Sequence, residues 1–203
     1  MKIQIAFKLI FVFCSATIFA QSDISIGAQV NTSFHLNSHR NKGTKIWSSE
    51  SGYGFSAGVP LLISKSEDRR FVTGIQYEYI SFDNWANNQL IASTRFHSIH
   101  VPLCFQFDIM KPWYYSLGTG MNYNFRSRTF SPANNADISG SANPFQPYLS
   151  AGIGSMVERG NGMFDLGIQV RYHFLDMWRK IYPIYAVTSS KVISLDLMMR
   201  FYF

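Results

Sequence analysis

In the stretch 191–203, Ile193, Leu195, Leu197, Met199, Phe201 and Phe203 are all large and apolar, while the even positions include Ser194, Asp196, Arg200 and Tyr202. A period of two sends successive side chains to opposite faces of a strand, so this stretch is a ribbon with one greasy and one polar side. Such a ribbon needs neighbours for its backbone donors and acceptors and a cover for its greasy face.

The same alternation recurs in seven earlier stretches: 23–34, 52–64, 71–82, 94–107, 113–125, 146–157 and 163–174. In the first, Ile24, Ile26, Ala28, Val30 and Phe34 oppose Ser25, Gly27, Gln29, Asn31 and Ser33. Between the strands lie polar segments that alternate long and short: 35–50, 65–70, 83–93, 108–112, 126–145, 158–162 and 175–190. Each predicted strand is long enough for a tilted membrane crossing, which takes roughly 9 to 11 residues. An even strand number with brief turns on one side and long loops on the other is the pattern of an outer-membrane barrel. Pro102 falls inside one of these strands and predicts a bulge or a local break in the ladder, because proline has no amide hydrogen to share.

Residues 1–20 have the form of a secretory signal peptide: Lys2 and Lys8, an apolar run over 9–20, and Ala20 before Gln21. Cleavage is placed after Ala20, although Ile18 stands where a small residue is usual, and the bulky Phe13 before Cys14 argues against lipidation. Residues 21–203 then form one domain. Losing the signal removes Cys14 and leaves Cys104 alone, so no intrachain disulfide forms. It also lowers the formal net charge from +6 to +4, because Lys2 and Lys8 leave with it. No motif indicates nucleic acid as a partner. The predicted mature part contains no apolar run long enough for a helical span, so a crossing would have to be made by strands.

Alternation alone leaves open which face is outside, since a lipocalin-like barrel would have its polar face outward around a greasy pocket. Three features favour the greasy face outward. The polar face is rich in small residues (Gly27, Gly54, Gly58, Gly74, Gly118, Gly120, Gly152, Gly167), as a narrow interior requires. Aromatic residues, which make up 16% of the chain, gather at both strand ends. Trp47, Tyr53, Tyr79, Trp85, Phe125 and Trp178 mark the long-loop side, and Phe71, Phe107, Trp113, Phe201 and Phe203 the other, as in two interfacial girdles. Charges avoid the middle of the apolar face in every strand. The expected fold is an all-β, eight-stranded, antiparallel up-and-down transmembrane β-barrel of a Gram-negative outer membrane.

Two places carry a family likeness. Asp196, Phe201 and Phe203 have the spacing of the signal by which the outer-membrane assembly machinery takes up its clients, with Met198 where a small residue is usual. The segment from Ser98 to Phe107 (SIHVPLCFQF), followed by Tyr114-Tyr115-Ser116-Leu117-Gly118-Thr119-Gly120, resembles the centre of the PorT-like outer-membrane β-barrel family of Bacteroidota. His100 stands where that family often has Glu. The resemblance implies strands throughout 23–203 and, by analogy, membership of an envelope or secretion complex.

The polar face holds Glu78, His100, Asp165, Arg171, Asp196 and Arg200, and charges in a narrow interior must pair or be wetted. Asp165 and Arg200 are predicted to pair near the periplasmic mouth, and Glu78 and His100 to meet on neighbouring strands. These six are predicted to form a polar network filling the lumen, since an eight-stranded interior is about filled by side chains. A catalytic role for His97 with Ser98 or Ser93 is disfavoured, because adjacent residues point to opposite faces and no carboxylate orients the histidine. No cofactor or metal is expected: His35 and His39 fall in a predicted loop without acidic or thiol companions. The basic residues Arg40, Lys42, Lys45, Arg126, Arg128, Arg179 and Lys180 fall on the external side, where they contact lipopolysaccharide phosphates or keep the loops solvated. The expected role is structural or interactive through the external loops, with membrane lipid, lipopolysaccharide, the assembly machinery and envelope proteins as partners. A narrow diffusion pore is the alternative, and a lipid-modifying enzyme a more distant one.

Overall fold

The computed structural model describes residues 23–41, 47–66, 68–86, 89–131, 134–137, 142–176 and 187–203. The predicted signal peptide, with Cys14, lies outside the described residues, as do Lys42, Lys45, Trp178, Arg179 and Lys180. The strands are β1 (Asp23–Asn41), β2 (Trp47–Ser66), β3 (Arg69–Ala86), β4 (Gln89–Met110), β5 (Trp113–Ser131), β6 (Asn134–Asp137), β7 (Phe145–Arg159), β8 (Gly162–His173) and β9 (Val187–Tyr202). From β1 to β5 and from β7 to β9 consecutive strands pair antiparallel, β9 returns to β1, and β5 pairs with both β4 and β7, so β1–β5 and β7–β9 form a closed eight-stranded barrel. The short β6 pairs only with the outer end of β5, at Arg128–Ser131. Closure leaves the barrel wall without a free edge, which is what permits a sheet to stand where no water reaches its amides.

Side-chain exposure identifies the outer face. Ile75 is 65% exposed and Leu149 59%, whereas Glu78, Tyr114 and Tyr148 are fully buried. The apolar stripe of every barrel strand faces outward and the polar stripe inward, the reverse of a soluble carrier barrel. Aromatic rings band the outside near each end. Phe55 packs on Tyr79 and Tyr123 on Phe145 on the long-loop side, and Phe71 on Phe105 and Phe107 on Tyr115 on the other. A barrel greasy outside and polar within, belted by aromatics, is built to cross a lipid bilayer.

Several predicted loops are strands. Residues 35–41 and 47–50, assigned to a loop with His35 and His39, continue β1 and β2 as a paired hairpin up to Arg40 opposite Trp47. Residues 83–86 and 89–93 likewise extend β3 and β4, paired up to Ala86 opposite Gln89. Residues 126–131 extend β5, and 134–137 form β6. In water a hairpin needs only its cross-strand hydrogen bonds and side-chain pairs, so these extensions carry no apolar stripe to betray them.

Pro102 does interrupt a ladder. Between Val72 opposite Cys104 and Gln76 opposite His100, residues 73–75 and 101–103 form no paired positions, and the register resumes unshifted. Pro60 does the same between β1 and β2, where pairing lapses between Ile26–Leu61 and Gln29–Gly58. Across five consecutive strands the lumen-facing residues along this line are Gly27, Pro60, Gly74, Pro102 and Gly120. Gly74 has φ of +142°, and a Cβ there would lie 2.3 Å from the Val59 carbonyl oxygen. That conformation and that space admit only glycine.

Candidate functional site: the filled lumen

The lumen is stacked in layers. At the periplasmic end, Leu62, Val72, Cys104, Tyr114, Met156 and Tyr202 make an apolar plug. Below it opens a vestibule of about 980 Å³, whose lining includes Asp23, Arg70, Asp108, Lys111 and Glu158. Arg70 and Asp108 form an ion pair at its rim. At the external end, Ile80, Phe82, Phe96, Ala142 and Val192 make a second apolar plug.

Between the plugs lie two charged layers. In the lower one Asp165 and Arg200 stand opposite each other on β8 and β9, and Arg200 Nη1 donates to Asp165 Oδ2 at 2.9 Å. Tyr114 reaches across from β5 and donates its hydroxyl to Asp165 Oδ1 at 2.5 Å, while Arg200 Nε donates to Gln29 Oε1 at 3.1 Å. In the upper layer Arg171 holds two carboxylates. Its Nε and Nη2 donate to Asp196 at 2.6 and 2.8 Å, a bidentate clamp, and Nη2 also donates to Glu78 Oε1 at 2.5 Å. Because β3 and β8 are four strands apart in a ring of eight, the Glu78–Arg171 bond spans the barrel's diameter. Asn122 donates to the other Glu78 oxygen, and the Arg171 guanidinium lies 5.4 Å from the Tyr148 ring centre.

A ladder of amides rises from the lower layer, where Gln29 accepts from Arg200. Gln29 Nε2 donates to Asn31 Oδ1 at 2.8 Å, Asn31 Nδ2 to Ser56 Oγ at 2.8 Å, and Gln76 Nε2 to Gln29 Oε1 at 3.2 Å. Above them His35 bridges Ser33 and Ser194 at 2.8 and 2.7 Å, with Phe82 edge-on to its ring. Buried charges are tolerated only with such company, since each removed partner would leave an uncompensated group.

All six residues singled out from the sequence face this interior. Glu78 and His100, however, do not bond to each other. Register puts Glu78 opposite Ser98 and His100 opposite Gln76. The carboxylate instead crosses the lumen to the guanidinium, the stronger donor, and His100 bonds to the Tyr148 hydroxyl. Reasoning from sequence missed Tyr114 and Tyr148, two of the largest fully buried side chains. Their signal was available: each lies at an inward position among glycines. A Cβ at Gly120 would come within 2.2 Å of the Tyr148 hydroxyl, and one at Gly154 within 2.3 Å of that of Tyr114.

The other candidates are scattered. His97 is on the outer face, its Nδ1 2.6 Å from the Tyr77 hydroxyl, whereas Ser98 is inside and donates to the Glu78 carbonyl. His35 lies in the lumen rather than in a loop. Among the described residues no group of three His, Cys, Asp or Glu side chains is arranged to hold a metal ion. Cys104 is free and buried, near Ser150 and Gln169.

No protein-family model and no curated protein matches the chain. Among solved structures the fold is similar to Neisserial surface protein A, with 16% identity, a TM-score of 0.54, and coverage of 88% of this chain and 97% of that one. Weaker matches are the attachment invasion locus protein Ail of Yersinia pestis (14% identity, TM-score 0.40, 87% of this chain and 98% of that one) and OprG of Pseudomonas aeruginosa (11%, 0.33, 87% and 95%). With its apolar exterior, closed wall and packed polar interior, the protein is an integral outer-membrane β-barrel.

Proposed function

We propose that the barrel is an anchor whose work is done outside it: a structural or interaction protein that presents its external hairpins to a partner in the envelope. One observation carries this reading. The lumen is stopped by two apolar plugs and two ion-paired layers, while β1 to β5 run on past the aromatic belt into paired extensions. A filled cylinder offers no route for a solute, so the surface left for function is the raised wall. The resemblance of Ser98–Phe107 and Tyr114–Gly120 to the PorT-like family supports membership of an envelope or secretion complex. The outward Phe201 and Phe203 with the inward Asp196 support uptake by the assembly machinery through the last strand. A non-enzymatic role is supported by the separation of His97 from Ser98 across the wall.

Cross-linking on intact cells, followed by purification of the full-length protein, tests the proposal. A defined envelope protein should be recovered with the native chain and lost when 37–50 is replaced by a tight turn in a barrel that still folds. A stable conductance of the purified protein in planar bilayers, with nothing cross-linked, would overturn it in favour of a pore.

A further inference from the structure

The barrel's alternation breaks at one place with a chemical consequence. On β5 the odd residues Met121, Tyr123 and Phe125 face outward, yet Arg126 and Arg128 are also exposed, and Ser127 is buried. The cause is a β-bulge: His97 stands opposite Arg126 but Ser98 opposite Asn124, leaving Phe125 as an extra residue. Without that residue the parity of β5 would send both arginines into the lumen. Bulges re-aim side chains, and this one turns two guanidiniums onto the bilayer side of the wall.

One of them meets a charge of the same sign. Register sets Arg95 opposite Arg128 and His97 opposite Arg126, with Arg95 also exposed and its guanidinium 4.4 Å from the Phe130 ring centre. Like charges directly opposite on a sheet are unfavourable unless an anion lies between them. The nearest acids by register are Asp137, opposite Arg128, and Asp83, two residues beyond the Ser81 that pairs with Arg95. Three guanidiniums outnumber them, and none of the three forms an ion pair among the described side chains. Just beneath sits an aromatic floor: the rings of Tyr77, Tyr79 and Phe125 lie 6.1, 5.3 and 6.4 Å from that of His97. Arg95 and Arg128 are thus about one strand repeat above the aromatic belt, roughly 7 Å, and Arg126 is level with Tyr79 at its upper edge, the height of outer-leaflet headgroups.

We propose that Arg95, Arg126 and Arg128, on the outer face of the β4–β5 hairpin, form a binding site for the phosphate groups of an outer-leaflet glycolipid, whose acyl chains lie along Ile99, Met121 and Tyr123 below. Arginine forks match phosphate oxygens bidentately, and the position at the bilayer rim selects a lipid over a soluble anion. The inference rests on the barrel's standing in the outer membrane and not on its having a protein partner. Recovery of phosphorylated glycolipid without any cross-linked protein would remove the earlier proposal and leave this one.

The test uses the full barrel in detergent, its fold checked by the heat-dependent shift in electrophoretic mobility. The probes are diphosphoryl lipid A, its dephosphorylated form, and phosphatidylglycerol. The native protein should bind lipid A at least about tenfold more tightly than the dephosphorylated form, and R95Q/R126Q/R128Q should lose that preference. R69Q/R159Q, on the periplasmic rim, should keep it. Equal binding of the two forms, equal binding of phosphatidylglycerol, or retention of the preference by the triple variant would overturn the proposal. Should the triple variant fail to fold, R126Q and R128Q singly decide: weaker lipid A binding supports the site, and unchanged binding refutes it.

Discussion

The two charged layers of the lumen solve the same problem differently. In the lower layer one arginine faces one carboxylate on the neighbouring strand, and Asp165 has a second donor in Tyr114. In the upper layer one arginine serves two carboxylates, and one of those comes from the opposite wall. The lower pair is local and backed up. The upper triad is shared, so it ties β3 to β8 and concentrates the cost of failure in Arg171.

That difference can be broken experimentally, with urea midpoints of the barrel folded in detergent as the measure. Arg171→Met leaves Glu78 and Asp196 buried without their cation, and should cost the most, about 3–5 kcal/mol. Arg200→Met leaves Asp165 with the tyrosine hydroxyl and should cost less, about 2–3 kcal/mol. Equal losses for the two would end the distinction between shared and local pairing. Gly154→Ala presses a methyl group against the Tyr114 hydroxyl and should cost about 1–2 kcal/mol, by displacing the lower layer's second donor. Glu78→Gln keeps an oxygen for Arg171 and leaves Asp196 in the clamp, so about 1 kcal/mol is expected. A much larger loss would mean that the bond across the diameter, and not the clamp, holds the upper layer.

The barrel was legible in the sequence because lipid and lumen impose opposite demands on adjacent residues, and eight alternating stretches record them. Arg200 and Asp165 were legible as a pair for the same reason: antiparallel strands of known direction fix their height. What lies outside the bilayer was not. His35, placed in a loop, is in the lumen because its strand continues on cross-strand hydrogen bonds alone. Arg126 and Arg128 were placed on the external side, but their outward aim depends on the unpaired Phe125, and the apolar pattern through Tyr123 and Phe125 gives no sign that the count slips there. Glu78 was matched with the wrong partner because a side chain that crosses an enclosed space is not bound to its neighbours along the sheet. Pro60 shows the same limit, since its counterpart Pro102 drew notice while the alignment of the two across Gly74 needed the register.

The line from Gly27 through Pro60, Gly74 and Pro102 to Gly120 leaves two seams of the wall short of stitching at a common height. A cylinder laced tightly everywhere else yields there first. It should ovalise along that line when the surrounding bilayer thins, and amide exchange beginning at residues 27–28 and 73–75 would record the compliance.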